Sequence, residues 1–438
     1  MATEAIETHS SIPGRRWRIS WLLGIGVLVN YFDRVNLSAS HAALIASFGI
    51  SDIAFGYLSG AYNITYWLCQ LPIGVVLDKF GVRRVGRVGT FLWSLATFGG
   101  AVAPTLGALF GARFLLGVGE APTFPASAKA VGQWFPPHER SLATALFDSC
   151  AKFSSVIGIP LVGVVLLKAG WRWSFAMTGG ISLLYFAYFW RVYRDPDEDA
   201  GLSDVERRYI EAGAAENAEQ APEDDQESSL LQLLGQRKVL GLALGFGSYN
   251  YVFYLLLTWL PSYFAFALHI DMMHSFLYTS VPWLFATLCE LAIGGWLVDF
   301  LVKRGADASR VRRMVLIGGA TCGLGILGAA HAHGPIQALI WISLSIGGLS
   351  VHSAVGWSLP SLIAGRRDVG KVGGIVNFSN QVSGICAPII TGYLVHGLHS
   401  YAWVFGVSAI YLAVGIGGYI FLLGRIERPR RENAGIFA

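Results

Sequence analysis

Apolar side chains in this 438-residue chain come in runs of about twenty, broken by short polar and basic segments. Wound as a helix, a run of that length crosses the hydrocarbon core of a bilayer. The pattern predicts twelve membrane-spanning helices, near 18–40, 54–77, 87–105, 108–134, 140–167, 172–192, 239–266, 275–301, 313–331, 335–363, 370–396 and 401–423. Transmembrane β-strands would instead alternate apolar and polar residues in units of about ten. The first run is interrupted by Asp33 and Arg34 and has no small-residue cleavage site after it, so it reads as a retained span rather than a signal peptide.

Composition narrows the class. Hydrophobic residues make up 54% of the chain and charged ones 14%, against roughly a quarter charged in soluble domains. A soluble enzyme, a disordered chain and a disulfide scaffold are excluded. All five cysteines (Cys69, Cys150, Cys289, Cys322 and Cys386) fall in apolar segments, as free structural thiols would. A net charge of +4, scattered along the chain, does not point to nucleic acid. No zinc, Walker, Rossmann or serine-hydrolase spacing occurs, so neither a cofactor nor a metal is expected and the chain does not read as an enzyme. His331 and His333 share a short loop but supply only two ligands. The triplets Asn36-Leu-Ser38, Asn63-Ile-Thr65 and Asn377-Phe-Ser379 lie within spans and are not glycosylation sites.

Of the 32 lysines and arginines, 26 fall in one set of loops and termini, two (Lys168 and Arg172) in the opposite loops, and four (Arg34, Arg113, Lys129 and Lys152) within spans. The positive-inside rule then places both termini in the cytoplasm, which requires an even number of spans. Segment 194–236 is the one long polar stretch and holds 13 of the 28 acids. Ser203 and Glu206 read as a capping box ahead of a short helix, Asp204 to Gly213, followed by a run too polar to fold. The expected organisation is a six-helix bundle at 1–193, a cytoplasmic linker at 194–236, a second six-helix bundle at 237–424 and a cytoplasmic tail at 425–438. The halves repeat: Gly74 to Asp78 recurs at Gly295 to Asp299, Trp173 and Phe175 at Trp403 and Phe405, and Pro160 at Pro388, at nearly constant offsets. Such repeats are parallel, related about the membrane normal.

The stretch Gly74 to Arg84, Gly-x-x-x-Asp-Lys-x-Gly-x-Arg-Arg, resembles the signature loop of the major facilitator superfamily. Asn30-Tyr-Phe-Asp-Arg-Val-Asn-Leu-Ser38, Arg113 to Pro125, and Trp134-Phe-Pro-Pro-His-Glu-Arg140 are more specific, and resemble the anion:cation symporter family, which includes galactonate and hexuronate permeases and a vesicular sialic acid carrier. The resemblance covers the whole chain. It implies an all-α membrane protein with twelve transmembrane helices in two pseudo-symmetric bundles.

Besides Lys129, seven charged side chains lie well within spans: Asp33, Arg34, Arg113, Glu120, Asp148, Lys152 and Glu290. Left in lipid they would cost roughly 20 kcal/mol together, so they must pair or face a wet cavity. Asn30, Asp33 and Arg34 share one helix face, and Arg113 and Glu120 another. Arg34 keeps its charge at any relevant pH and offers a planar fork matched to a carboxylate, which makes it the first candidate for binding an anion. Burial and nearby arginines pull the carboxyls of Asp33 and Glu120 in opposite directions, making both candidates for reversible protonation. Glu120, flanked by apolar residues and without an adjacent arginine, is the favoured coupling acid, and Arg113 is the balancing charge.

The resemblance assigns proton coupling to Asp33 and Glu120, anion contact to Arg34, and pocket lining to Tyr31, Tyr66 and Asn377. Tyr62, Tyr66 and Gln70 share a helical stripe, as do Asn377, Asn380 and Gln381, and either stripe could equally be interhelical glue. Gln381 and Trp357 complete the substrate-binding candidates. Asp148 and Lys152, four residues apart, read either as a private ion pair or as a second anion-binding charge favouring a diacid; Glu290 has no evident partner. Asp78, Arg84 and Asp299 are gating candidates, with local capping as the alternative.

The function implied is import of an organic anion, a sugar acid first, together with protons, by a monomer in the bacterial inner membrane. Other carboxylates, efflux or facilitation on the same fold, and a membrane sensor without transport stay open as alternatives.

Overall fold

A computed structural model describes residues 13–219, 228–364 and 368–426. Among the described residues the chain is helical, with no strand. The amino-terminal half comprises α1 (Arg15–Ala39), α2 (His41–Phe48), α3 (Asp52–Ala101), α4 (Leu106–Glu120), α5 (Thr123–Trp134), α6 (Pro137–Ala169) and α7 (Trp171–Val192). Two helices follow in the polar segment, α8 (Asp204–Glu219) and α9 (Leu230–Leu234). The carboxy-terminal half comprises α10 (Arg237–Ser262), α11 (Met272–Cys289), α12 (Val298–Lys303), α13 (Ala308–Gly323), α14 (Ile326–Ala330), α15 (Pro335–Gly356), α16 (Leu359–Ile363), α17 (Val369–Leu398) and α18 (Tyr401–Gly417). Turns of π-helix follow α10, α11 and α18, at Tyr263–Ala267, Glu290–Leu297 and Gly418–Leu423.

Every predicted span coincides with one helix or a broken succession of helices. Spans two and three run together as α3, 50 residues long, interrupted at Gly81, whose φ of 75° and ψ of 165° few side-chain-bearing residues adopt. That glycine is the second of the two in the signature stretch. The fourth span is broken between α4 and α5 at Ala121 and Pro122. Among the described residues, six helical runs are long and apolar enough to cross a membrane by themselves, and seven if α2 and 52–70, bent by 116°, count as one. Five of those six lie in the carboxy-terminal half.

The repeat seen in sequence carries over to burial. Trp173 and Trp403 are exposed while Phe175 and Phe405, two residues on, are buried, and Pro160 and Pro388 both lie inside long helices. Helix ends are fixed by side chains in the usual way: Ser51, Thr105, Asp271 and Asp307 each accept a hydrogen bond from a backbone N–H three residues ahead.

Within the polar segment residues 194–219 and 228–236 are described, and part of the run expected to be too polar to fold, 220–227, lies outside the described residues. Helix α8 continues six residues past Gly213. Ser203 Oγ accepts from the Glu206 N–H at 3.2 Å, but the reciprocal half of the expected capping box does not form. The buried Glu206 carboxylate turns instead to the start of α1, accepting from the backbone N–H groups of Arg15 (3.2 Å) and Arg16 (3.0 Å) and from Arg16 Nη1 (3.0 Å). A carboxylate there meets unsatisfied donors at the positive end of a helix, which outweighs a cap on its own short helix. Arg16 also pairs with Glu139 at 2.7 Å, and that bond holds its guanidinium above the ordinary arginine range. Arg15 pairs with Asp199 at 2.8 Å, and Arg83 with Glu198. On the other side, Ser228 N donates to Asp368 at 3.0 Å, and Leu233 of α9 is buried.

The two halves are sealed together at the end formed by the α1–α2 and α10–α11 connections. Ser38 Oγ donates to the Thr258 carbonyl at 2.7 Å, His41 Nδ1 bonds Ser262 Oγ at 2.7 Å, and Asn63 Nδ2 donates to the Gly384 carbonyl at 2.9 Å. Helices α3 and α17 cross through small residues: a Cβ at Gly56 would lie 2.6 Å from the Pro388 carbonyl oxygen. Gly56→Leu is therefore expected to hold this end open. Spin labels at Ala46 and Leu398 should report a longer distance than in the parent; an unchanged distance would mean that α17 yields locally.

Candidate functional site

Arg34 sits at the centre of the buried polar cluster. Its position about four-fifths of the way along α1 brings its side chain between α3, α4 and α10. Nη2 donates to Asn30 Oδ1 (3.2 Å), Tyr62 Oη (2.5 Å) and Glu120 Oε2 (3.3 Å), while Nη1 donates to Tyr254 Oη (3.2 Å). The guanidinium also lies 4.2 Å from the ring centre of Tyr31, 4.7 Å from Tyr62 and 5.6 Å from Tyr66. Hydrogen bonds and ring faces together fix its plane, as a two-point carboxylate site requires. Asn30 at the i−4 position is the neighbour that helical spacing anticipated. Tyr254 belongs to the other half and was not singled out from sequence; hydroxyl-bearing rings recurring in an apolar span, at Tyr249, Tyr251 and Tyr254, were the available signal.

Glu120, not Asp33, is the acid that meets Arg34. The reasoning that Glu120 lacks an adjacent arginine is overturned, because Arg34 reaches across from α1 to it. Asp33 is the unpaired acid: 2% exposed, with neither carboxylate oxygen accepting a hydrogen bond among the described residues. Asp33 nonetheless lies within electrostatic reach of Glu120 and Arg113, both on α4. Arg113 is buried, its guanidinium 5.3 Å from the Tyr62 ring centre, and its Nε and Nη1 have no hydrogen-bond partner among the described residues.

Asp148 and Lys152 do not form a private pair. Lys152 Nζ is 3.3 Å from Asp148 Oδ2 but 2.8 Å from Glu290 Oε1, across the boundary between the halves. Glu290, which had no evident partner, thus has one 138 residues away.

The remaining candidates divide. Tyr31 and Tyr66 stand against Arg34 as described. Asn377 Nδ2 donates to Gln70 Oε1 at 3.3 Å, joining α17 to α3, and Gln381 is buried with Oε1 unbonded among the described residues. Trp357 is not brought to Arg34; it is exposed, with an edge contact to Phe246 at 5.1 Å. Asp78 is mostly exposed and accepts from Lys129 Nζ at 2.6 Å, so its partner lies within its own half. Arg84 is exposed. The Asp299 side chain lies outside the described residues. No group of three metal-ligating side chains occurs among the described residues, and the cysteines are unpaired.

Residues 23–306 match the family model of the Major Facilitator Superfamily. The chain is 40% identical to the uncharacterized transporter YybO of Bacillus subtilis, over 95% of this chain and 96% of that one. It is 31% identical to a D-galactonate transporter of Escherichia coli (97% and 99% covered) and 31% identical to the probable galactarate/D-glucarate transporter GarP of Escherichia coli (99% and 100%). Among solved structures, a bacterial homologue of the lysosomal transporter Spinster, inward-facing and occupied, superposes with a TM-score of 0.73 at 15% identity, covering 93% and 96% of the two chains. A D-xylose–proton symporter superposes at 0.71 with 16% identity over 94% and 98%. These relatives are transporters and not enzymes, and a match over well over half its length places this multi-pass membrane chain in the major facilitator superfamily.

Proposed function

We propose that this transporter imports an organic anion, a sugar acid, together with protons, by rocking its two halves about a site centred on Arg34. The observation that carries the reading is the buried guanidinium held by one acid, two tyrosine hydroxyls and an asparagine, with two further acids and two further cations in neighbouring spans. The relatives named for galactonate and for galactarate and glucarate supply the substrate class. Asp33 and Glu120 carry the protons, Arg113 balances charge, Tyr31, Tyr66, Asn377 and Gln381 line the pocket, and Asp78, Arg84 and Asp299 act at the gate. The protein works as a monomer of twelve spans in the inner membrane, with both termini and segment 194–236 in the cytoplasm. The sealed end is then the periplasmic one, and the described conformation faces inward.

Proteoliposomes holding the full chain decide the matter. Labelled galactonate or galactarate should accumulate inside when an inward proton gradient is imposed, and an uncoupler should abolish the accumulation. Uptake insensitive to the uncoupler would identify a facilitator. No uptake of any sugar acid, despite binding, would favour a sensor.

A further inference from the structure

The Asp148–Lys152–Glu290 cluster holds more charge than a tie between helices needs. Lys152, 3% exposed, comes from α6 in one half, and Glu290, 5% exposed, opens the π-helical turn after α11 in the other. One ammonium faces two carboxylates, and Glu290 Oε2 accepts no hydrogen bond among the described residues. Apolar residues of equal volume would join the helices at least as stably, and π-turns concentrate at functional positions. Other titratable groups within electrostatic reach are Tyr31 on α1 and Tyr249 on α10, with Cys150 beside Asp148 on α6.

Helix α10 relates this cluster to Arg34. Tyr254 bonds Arg34, and Tyr249, in the field of Lys152, lies five residues earlier on the same helix. Five residues rise about 7.5 Å, comparable to the length of an extended six-carbon acid.

We propose that Lys152 receives a second substrate carboxylate, that Glu290 fills this place when the transporter is empty, and that the chain accordingly prefers sugar acids with two carboxylates to those with one. The inference rests on the sugar-acid reading above and sharpens it. An arriving carboxylate displaces Glu290 from Lys152, and the displaced side chain, left buried without a cation, takes up a proton from water. Discrimination follows because a substrate with a hydroxymethyl group in place of the second carboxylate leaves the Lys152–Glu290 pair intact and gains nothing from it. A site built for a charged group discriminates strongly against the analogue that lacks it.

Galactonate and galactarate are six-carbon acids that differ at the last carbon alone, and calorimetric titration of the purified full-length protein with each gives the ratio of the two dissociation constants. The parent is expected to bind galactarate at least tenfold more tightly. The double variant Lys152→Gln/Glu290→Gln, which removes both charges together, should bring the ratio within threefold. Glu290→Gln alone leaves Lys152 without its resident carboxylate and should raise the ratio; if the double variant does not fold, this variant decides. Galactonate bound as tightly as galactarate by the parent, or a ratio that none of the substitutions moves, would overturn the inference while leaving the sugar-acid reading intact. Binding of neither acid, in the parent, would overturn that reading and the inference with it.

Discussion

Arg34→Lys is expected to weaken substrate binding almost as much as Arg34→Ala. Lysine retains the positive charge but loses the planar fork and the ring-stacking face. Arg34 uses both: its two terminal nitrogens donate to four acceptors, and three tyrosine rings flank it. A hydrogen bond to a charged group contributes about 1.5–3 kcal/mol, so loss of one prong of a two-point contact corresponds to roughly a ten- to hundredfold rise in Kd. Titration calorimetry with galactarate measures it directly. Near-parental affinity in the lysine variant would show that charge alone, or another cation such as Arg113, holds the anion.

Glu120→Gln should uncouple the transporter. Its carboxylate now sits 3.3 Å from Arg34, where an incoming substrate carboxylate must also bind. Once displaced, Glu120 is a buried anion without its cation, a state costing several kcal/mol that a proton relieves. Charge counting agrees: Asp33 and Glu120 balance Arg34 and Arg113, so one bound carboxylate leaves this cluster one charge negative until a proton arrives. Glutamine imitates the protonated acid permanently. In proteoliposomes the variant is expected to lose accumulation driven by a proton gradient while counterflow of internal for external substrate persists. Accumulation against a gradient in this variant would transfer the coupling role to Asp33, whose unpaired carboxyl is the alternative, or to Glu290.

The fold was legible because a bilayer imposes one rule on every span, and run length expresses that rule directly. Site residues separated by one helical turn were legible for a similar reason: Asn30 and Arg34, or Asp148 and Lys152, are neighbours by helix geometry before any tertiary packing. What escaped is what depends on which helices touch. Nothing local couples Lys152 to Glu290, and nothing local tells that Arg34 rather than Asp33 points at Glu120. Trp357 was a substrate-binding candidate, and only tertiary contacts could show its ring against Phe246. Glu206 was misassigned because the capping-box pattern describes its own helix, whereas a second helix start, 190 residues distant in sequence, offers better donors.

That last contact is one of several that anchor the polar segment. Glu206, Asp199 and Glu198 fasten the first part of the polar segment to the amino-terminal half, and Ser228 and Leu233 fasten its last part to the carboxy-terminal half. The polar segment is thus held by both halves, so that Glu206→Gln would loosen its hold on the start of α1, and Asp368→Asn its hold on the start of α17, without touching the site.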